Sequence, residues 1–250
     1  MDTDTIFYQK TQLPYSAIGA NGQVRIDRIL NMFQDAASQQ CSQLGISGLD
    51  MAKKQLKWVV SRYQIQIHKN PHWLDPLELK TWRSPWKNLY ELRHVSIVNQ
   101  EQEELISALG IWILVKAENS KPVRLSPHLP KNLMTPAQSC PELEKNDHDF
   151  DVFDHESEFK IRAHDMDLNQ HVNNTVYVQW AMEAMPLSLL NEFKPVNCTV
   201  SFLKESFYPD KIVSKVKIDF SPDKLITHHS IFQISGALKL ANLTMTWKKL

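Results

Sequence analysis

Glycine is scarce, with six in 250 residues. No GxGxxG or Walker A pattern occurs, so the phosphate-cradling loops of nucleotide-binding proteins have no local support. An excess of charge of one sign is also lacking. Lys plus Arg equals Asp plus Glu at 28 each, which gives no global attraction toward nucleic acid or an anionic membrane. A local basic patch is compatible with that balance, but a linear reading does not assemble one. The three cysteines, Cys41, Cys140 and Cys198, are odd in number and widely spaced. They form no disulfide framework and favour a reducing compartment. Long hydrophobic runs are missing: stretches such as Leu109 to Val115 are far too short to span a bilayer. The opening Met1-Asp2-Thr3-Asp4 is acidic and leads into no apolar segment, so no signal or transit peptide is expected there and a cytoplasmic setting follows.

What is present is a repeat of pattern. Each half opens with a short strand and an irregular turn, then has one amphipathic helix and several strand-like runs. In the first half, Ile26, Ile29, Leu30, Phe33 and Ala37 recur at helical spacing and predict a helix from about Arg25 to Leu44, with Gly45 as a stop. Strands are predicted at Trp58 to Ile67, Leu77 to Trp82, Tyr90 to Val98 and Ile106 to Lys116, from their β-branched and aromatic content. The second half repeats this with a strand at Phe159 to Arg162 and a helix from Val176 to Leu190. Strands follow at Thr199 to Leu203, Ile212 to Phe220, His228 to Ser235 and Ala237 to Trp247. The turn Ile18 to Val24 overlays Met166 to Val172 without a gap, and Asp35 falls on Glu183. One repeat at this length means a duplicated module, since a solenoid needs about three or more units. Residues 1–118 and 158–250 are the two modules. Residues 119–157, rich in proline and ending in an acidic run from Glu142, read as an extended linker with a solvated acidic face.

Chemistry concentrates between Arg162 and Asn174, where Asp165, Asp167, Asn169, Asn173 and Asn174 stand with His164 and His171. That density is too high for a core segment, and a polar helix cap by Asn173 or Asn174 explains one or two of the residues. Carboxylate, amide and imidazole together supply a base or orienter, a donor and a group titrating near neutrality. Asp167, Asn169 and His171 would converge if the segment were extended. The following helix would offer backbone N–H groups to an oxyanion.

The run Asp165-Met166-Asp167-Leu168-Asn169-Gln170-His171-Val172-Asn173-Asn174 resembles the signature of acyl-acyl carrier protein (acyl-ACP) thioesterases. The likeness extends through Tyr177 to Trp180 and Glu183. In the first half it covers Ile18-Gly19-Ala20, Leu56 to Val60, Trp73 to Pro76, Lys80-Thr81-Trp82, Trp112 and Arg124-Leu125-Ser126. The resemblance implies an α+β double-hotdog fold: two tandem domains, each an antiparallel sheet around a long helix, the first holding the acyl chain and the second catalytic. It implies hydrolysis of fatty acyl-ACP, with the carrier protein as partner and no cofactor or metal. Carried over by position, the catalytic groups are Asp167, Asn169, His171 and Glu205. Plant members often have a Cys after that Glu; here it is Ser206, which weakens a cysteine-nucleophile mechanism. The first-half equivalents are Gly19, Asn21 and Gln23, lacking carboxylate and imidazole, so one half binds and the other reacts.

Trp58, Trp82, Trp112 and Trp180 read as core residues or as lining of an acyl tunnel; Trp58 and Trp82, with Asn173 and Asn174, are the substrate-binding candidates. Arg83, Lys87, Lys121, Arg124 and Lys131 are candidates for gripping the carrier. His68 and His72 lie in a strand end and a turn, a poor metal pair, and His228-His229 reads as surface. Cys198 reads as a small buried residue. Hydrolysis of acyl-CoA, a hotdog dehydratase of 3-hydroxyacyl thioesters and a non-catalytic acyl binder remain as alternatives. A homodimer of the whole chain is left open.

Overall fold

The computed structural model describes residues 6–137, 146–221, 224–236 and 238–250. Cys140, Pro141 and the start of the acidic run at Glu142 lie outside the described residues. The chain divides into two compact units. One takes the chain up to Tyr15 and then from Asn31 into the linker; the other takes Ser16–Leu30 with the chain from the linker to Leu250.

The first unit contains β1 (Phe7–Gln12), β2 (Leu56–Ile67), β3 (Pro76–Trp86), β4 (Tyr90–Val98) and β5 (Glu104–Lys116). All neighbours are antiparallel, in the order β1-β3-β4-β5-β2. The helix α1 (Ile26–Gln43) supplies Phe33, Ala36 and Ala37 to the core, and a short α2 (Gly48–Ala52) is capped by Ser47 and Asp50 in a reciprocal capping box. Leu79, Ile97, Ile106 and Ile65 are buried on the sheet, each side chain stabilising by about 1.5–3 kcal/mol. Gly110 leaves room for the Tyr63 ring: a Cβ there would stand 2.6 Å from Tyr63 Cε1.

This interior also holds buried charge. Arg83 Nε stands 2.6 Å from Glu91 Oε1, Arg83 Nη1 donates to the Leu133 carbonyl at 2.9 Å, and Arg93 donates to Gln40 Oε1 and, at 3.1 Å, to Cys41 Sγ. Burial pushes the Glu91 carboxyl up, against the pull of Arg83 and Arg93. Arg83, a candidate for gripping the carrier, is therefore spent inside the fold; its place along the chain does not show the Glu91 partner on the next strand.

The second unit contains β6 (His155–Lys160), α3 (Asn174–Glu183), α4 (Leu187–Glu192), β7 (Phe193–Phe202), β8 (Lys211–Ser221), β9 (Lys224–Gln233) and β10 (Leu238–Lys249). Its order, β6-β8-β9-β10-β7, repeats that of the first unit strand for strand, with β6 standing for β1 and β7 for β2. Trp247, Val178, Leu243 and Cys198 are buried, and Trp180 packs as a core side chain between Phe159 and Tyr177.

Two expectations change here. The helix predicted from Val176 to Leu190 breaks into α3 and α4, because Pro186 has no N–H for the helical ladder and its ring clashes with the preceding turn. His229 is fully buried, not on the surface; its Nε2 lies 2.9 Å from Thr227 Oγ1, and burial, aided by His148 and His228, pushes its imidazole down to about 3. The linker lies against the fold at several points while its acidic face stays solvated. Leu125 and Leu129 bury into a cluster with Ile46, Met51 and Leu114, and Asn146 donates to the carbonyls of Thr199 and Asn242 at 2.9 and 2.7 Å. Its acidic run pairs with lysines, Asp149 with Lys239 at 2.9 Å and Glu156 with Lys215 at 2.9 Å, and β6 begins within it at His155.

Candidate active site

The segment before α3 is closed by its own polar groups. Buried Asp165 accepts from the Arg162 backbone N–H at 2.8 Å and from its guanidinium at 2.7 Å. The Asp165 carbonyl accepts from Asn173 N–H at 2.8 Å, which fixes the entry to α3. The Asn173 side chain caps the helix by accepting from Thr175 N–H at 3.0 Å.

Inside that frame the chain makes a tight turn, not the extended run expected. Asp167 N–H donates to the His171 carbonyl at 2.8 Å, and Gln170 N–H to the Asp167 carbonyl at 3.0 Å. Gln170 adopts a left-handed φ of 61° to allow this. Alternate residues therefore converge because the turn folds back. Asp167 Oδ1 accepts from Asn169 N–H at 2.7 Å, and the Asn169 amide approaches Asp167 Oδ2 at 3.4 Å.

Glu205 arrives from the loop after β7. Its Oε1 stands 3.2 Å from His171 Nδ1, both side chains being partly buried. Three contacts hold it there: Val172 N–H donates to the Ser206 carbonyl at 3.1 Å, the Tyr177 and Ser206 hydroxyls lie 2.7 Å apart, and the Phe207 ring meets the His171 ring edge-on at 5.0 Å. Burial pushes the Tyr177 phenol up to about 12, and the nearby Glu205 and Asp167 carboxylates add to that, so it stays a neutral donor or acceptor. Two side-chain pairs thus form one cluster, Asp167 with Asn169 and His171 with Glu205, tied by the backbone bond between Asp167 and His171.

Residues 4–133 match the acyl-ACP thioesterase N-terminal domain, and residues 148–249 the C-terminal domain. The chain belongs to the acyl-ACP thioesterase family. It is 29% identical over 203 residues to the chloroplastic acyl-[acyl-carrier-protein] hydrolase FATB1 of Cuphea viscosissima, covering 75% of this chain and 48% of that relative. To the chloroplastic palmitoyl-acyl carrier protein thioesterase of Arabidopsis thaliana it is 28% identical over 219 residues, covering 80% and 52%. The chain spans about half the length of the curated relatives it matches. An acyl-ACP thioesterase from Bacteroides thetaiotaomicron superposes with a TM-score of 0.84 at 15% identity, covering 98% of each chain. The 12:0-ACP thioesterase from Umbellularia californica gives 0.83 at 21% identity, covering 98% of this chain and 94% of that one. These likenesses show the double-hotdog fold.

In this acyl-ACP thioesterase family member the first-half turn has the same backbone and different side chains. Gly19 N–H donates to the Gln23 carbonyl at 2.8 Å and Gly22 N–H to the Gly19 carbonyl at 3.0 Å, with Gly22 left-handed at φ 76°. Asn21, the counterpart of Asn169, is spent on structure: its Oδ1 accepts from Gln23 N–H at 3.0 Å and its Nδ2 donates to the Leu190 carbonyl at 2.7 Å.

The remaining candidates fall as follows. Trp58 donates its indole N–H to the Ile46 carbonyl at 2.9 Å and packs against the Ile46–Leu114 cluster. Trp82 stacks on His94 at 5.0 Å. Asn174 opens α3 and is partly buried. His68 Nε2 lies 3.0 Å from Ser107 Oγ and His72 pairs with Asp75; among the described residues no cluster of metal-ligating side chains occurs. No helix among the described residues is long and apolar enough to cross a membrane. Sequence reasoning missed Tyr177 as part of the site, since it sits on the apolar face of its helix and its partner, Ser206, is 29 residues away.

Proposed function

We propose that this chain hydrolyses the thioester of fatty acyl-ACP, releasing free fatty acid and ending chain elongation. The observation that carries this reading is the His171–Glu205 contact at 3.2 Å, on the same turn as Asp167 and Asn169. The family and its named relatives supply the substrate class.

In this reading Glu205 fixes the imidazole by accepting from Nδ1–H, which leaves Nε2 as the base that takes a proton from the attacking water. Hydroxide oxygen adds to the thioester carbon, and the carbonyl becomes an oxyanion. The N–H of Asn174 at the positive end of α3 is the first-turn donor suited to it, because Thr175 N–H and Val176 N–H are already bonded to Asn173. Asn169, held by Asp167, orients the water or the carbonyl. Collapse breaks the C–S bond, and the phosphopantetheine thiolate leaves, taking its proton from the imidazolium. Residues 1–118 are assigned to acyl binding, with Trp58 and Trp82 as the aromatic candidates, and residues 158–250 to the chemistry. The setting is the reducing cytoplasm, in keeping with Cys41 and Cys198 as free thiols.

The test is a panel of acyl-ACPs of graded chain length, with free thiol and free fatty acid both measured, and the same acyl groups on CoA alongside. Release of both products from acyl-ACP, lost in His171→Ala and Glu205→Ala, supports the reading. No release from any acyl-ACP by folded protein would sink it.

A further inference from the structure

The chain is neutral overall, yet one end of its first unit is not. Four segments meet there. The α2–β2 turn carries Lys54, whose Nζ donates to the His128 carbonyl at 2.8 Å. The β3–β4 turn carries Lys87, and Lys87 and Asn88 are both left-handed, at φ 51° and 53°, as a tight hairpin turn requires. The end of β5 carries Lys116, whose N–H donates to the Lys121 carbonyl at 2.9 Å. The strap that follows carries Arg124 and Lys131. It is sewn down by Leu125 N–H on the Asn88 carbonyl at 3.0 Å, Ser126 N–H on Asn88 Oδ1 at 2.9 Å, and the burial of Leu125 and Leu129.

Lys54, Lys87, Lys116, Lys121, Arg124 and Lys131 are all exposed, against one exposed carboxylate, Glu118, in the same segments. Elsewhere Lys69 is paired with Glu103 at 3.0 Å and Lys217 with Asp154 at 3.3 Å. At this end Lys53 pairs with Asp50, at 3.5 Å. Like charge gathered on neighbouring turns and strand ends destabilises the compact state slightly and raises the local potential toward an anionic partner.

We propose that this end of the first unit is the docking surface for an acidic carrier protein, which rests on the acyl-ACP thioesterase reading. The cations stand on a hairpin turn, a strand end and a pinned strap, a contoured surface that suits a folded partner. A bilayer would call for an amphipathic helix with basic and apolar faces. Extended nucleic acid would call for a basic track with bases stacked on exposed aromatics. The surface acts on encounter with the carrier, not on the bond that breaks.

The experiment compares Lys87→Glu/Arg124→Glu/Lys131→Glu with the parent chain on one acyl group carried either by the carrier protein or by free pantetheine. The expected result is a loss of roughly 10–100-fold in kcat/KM on the carrier-protein substrate at low salt, shrinking as salt rises, with turnover of acyl-pantetheine retained. The triple alanine variant, gentler on folding, should show the same selectivity with a smaller loss. Equal losses on both substrates, or no loss on either, overturn the proposal. Binding of the holo-carrier protein, followed by titration calorimetry, reads docking without chemistry. Absent hydrolysis with salt-sensitive binding would sink the thioesterase reading alone. Binding that the triple reversal leaves untouched would sink the docking surface. Anionic vesicles or duplex DNA displacing the carrier protein at equal concentration would also overturn it.

Discussion

The Tyr177 hydroxyl lies 2.7 Å from the Ser206 hydroxyl, and Ser206 directly follows Glu205, whose carboxylate meets His171. A buried phenol on α3 thereby fixes the loop that carries Glu205, the partner of the His171 imidazole. Tyr177→Phe and Ser206→Ala should each lower kcat by about threefold to tenfold, the worth of one neutral hydrogen bond, with KM held. Each should also move the pH–rate profile, which a purely structural loss would leave in place. The double variant should be no slower than the slower single, because one bond is removed in all three. Additive losses would show that the two hydroxyls act separately.

His171 and Glu205 behave as one unit in this geometry. His171→Ala and Glu205→Ala should each cost about 10²–10⁴-fold in kcat, and the double variant should match the worse single. Multiplication of the two effects in single-turnover assays would contradict a coupled pair. Asn21→Ala offers the contrast. It removes bonds to Gln23 and Leu190, so it should lower stability by about 1 kcal/mol per bond while leaving kcat unchanged.

Gly110→Ala should destabilise the first unit. The new Cβ would fall 2.6 Å from Tyr63 Cε1 and 3.1 Å from Trp112 Nε1, and Tyr63 is fully buried. Overpacking of this kind costs about 1–3 kcal/mol, which for a chain of this size lowers Tm by roughly 2–4 °C per kcal/mol. An unchanged melting curve would mean that the ring has room to turn.

Stability should fall on acidification through the His229 imidazole. Its folded value is depressed to about 3 from the ordinary 6.5, so the unfolded chain binds the extra proton between those values. This contribution is fully present above the unfolded value and is lost as pH falls from there toward about 3, at up to about 1.4 kcal/mol per pH unit. His148, also held below its ordinary value mainly by burial, adds in the same direction. Denaturant midpoints followed against pH should drop less steeply in His229→Gln than in the parent chain, and equal slopes would rule out His229 as the source.

Much of the fold was readable because its signals are local. The alternation that predicts Tyr90 to Val98 matches β4 at both ends, and the apolar stripe through Ile29 and Phe33 gives α1 nearly to the residue. The gapless overlay of the two turns predicts a shared backbone, and the matched bonds of Gly19 and Asp167 show it. The failures have local causes too. Helical periodicity runs on through Pro186, and its missing N–H divides α3 from α4. Leu125 and Leu129 lie in a proline-rich stretch whose composition hides their burial.

Neighbouring residues along the chain set which groups the second turn carries, Asp167, Asn169 and His171, and that the first turn lacks the carboxylate and imidazole, since side-chain identity and the spacing of a tight turn are local properties. They also set the duplicated order of strands through period and turn residues. The distant partners of those groups follow from how the strands and loops pack. Glu205 reaches His171, Tyr177 reaches Ser206, Arg83 is spent on Glu91, and Lys87 joins Arg124 at one end, because pairing across strands depends on register and packing, and neither is written in a residue's neighbours along the chain.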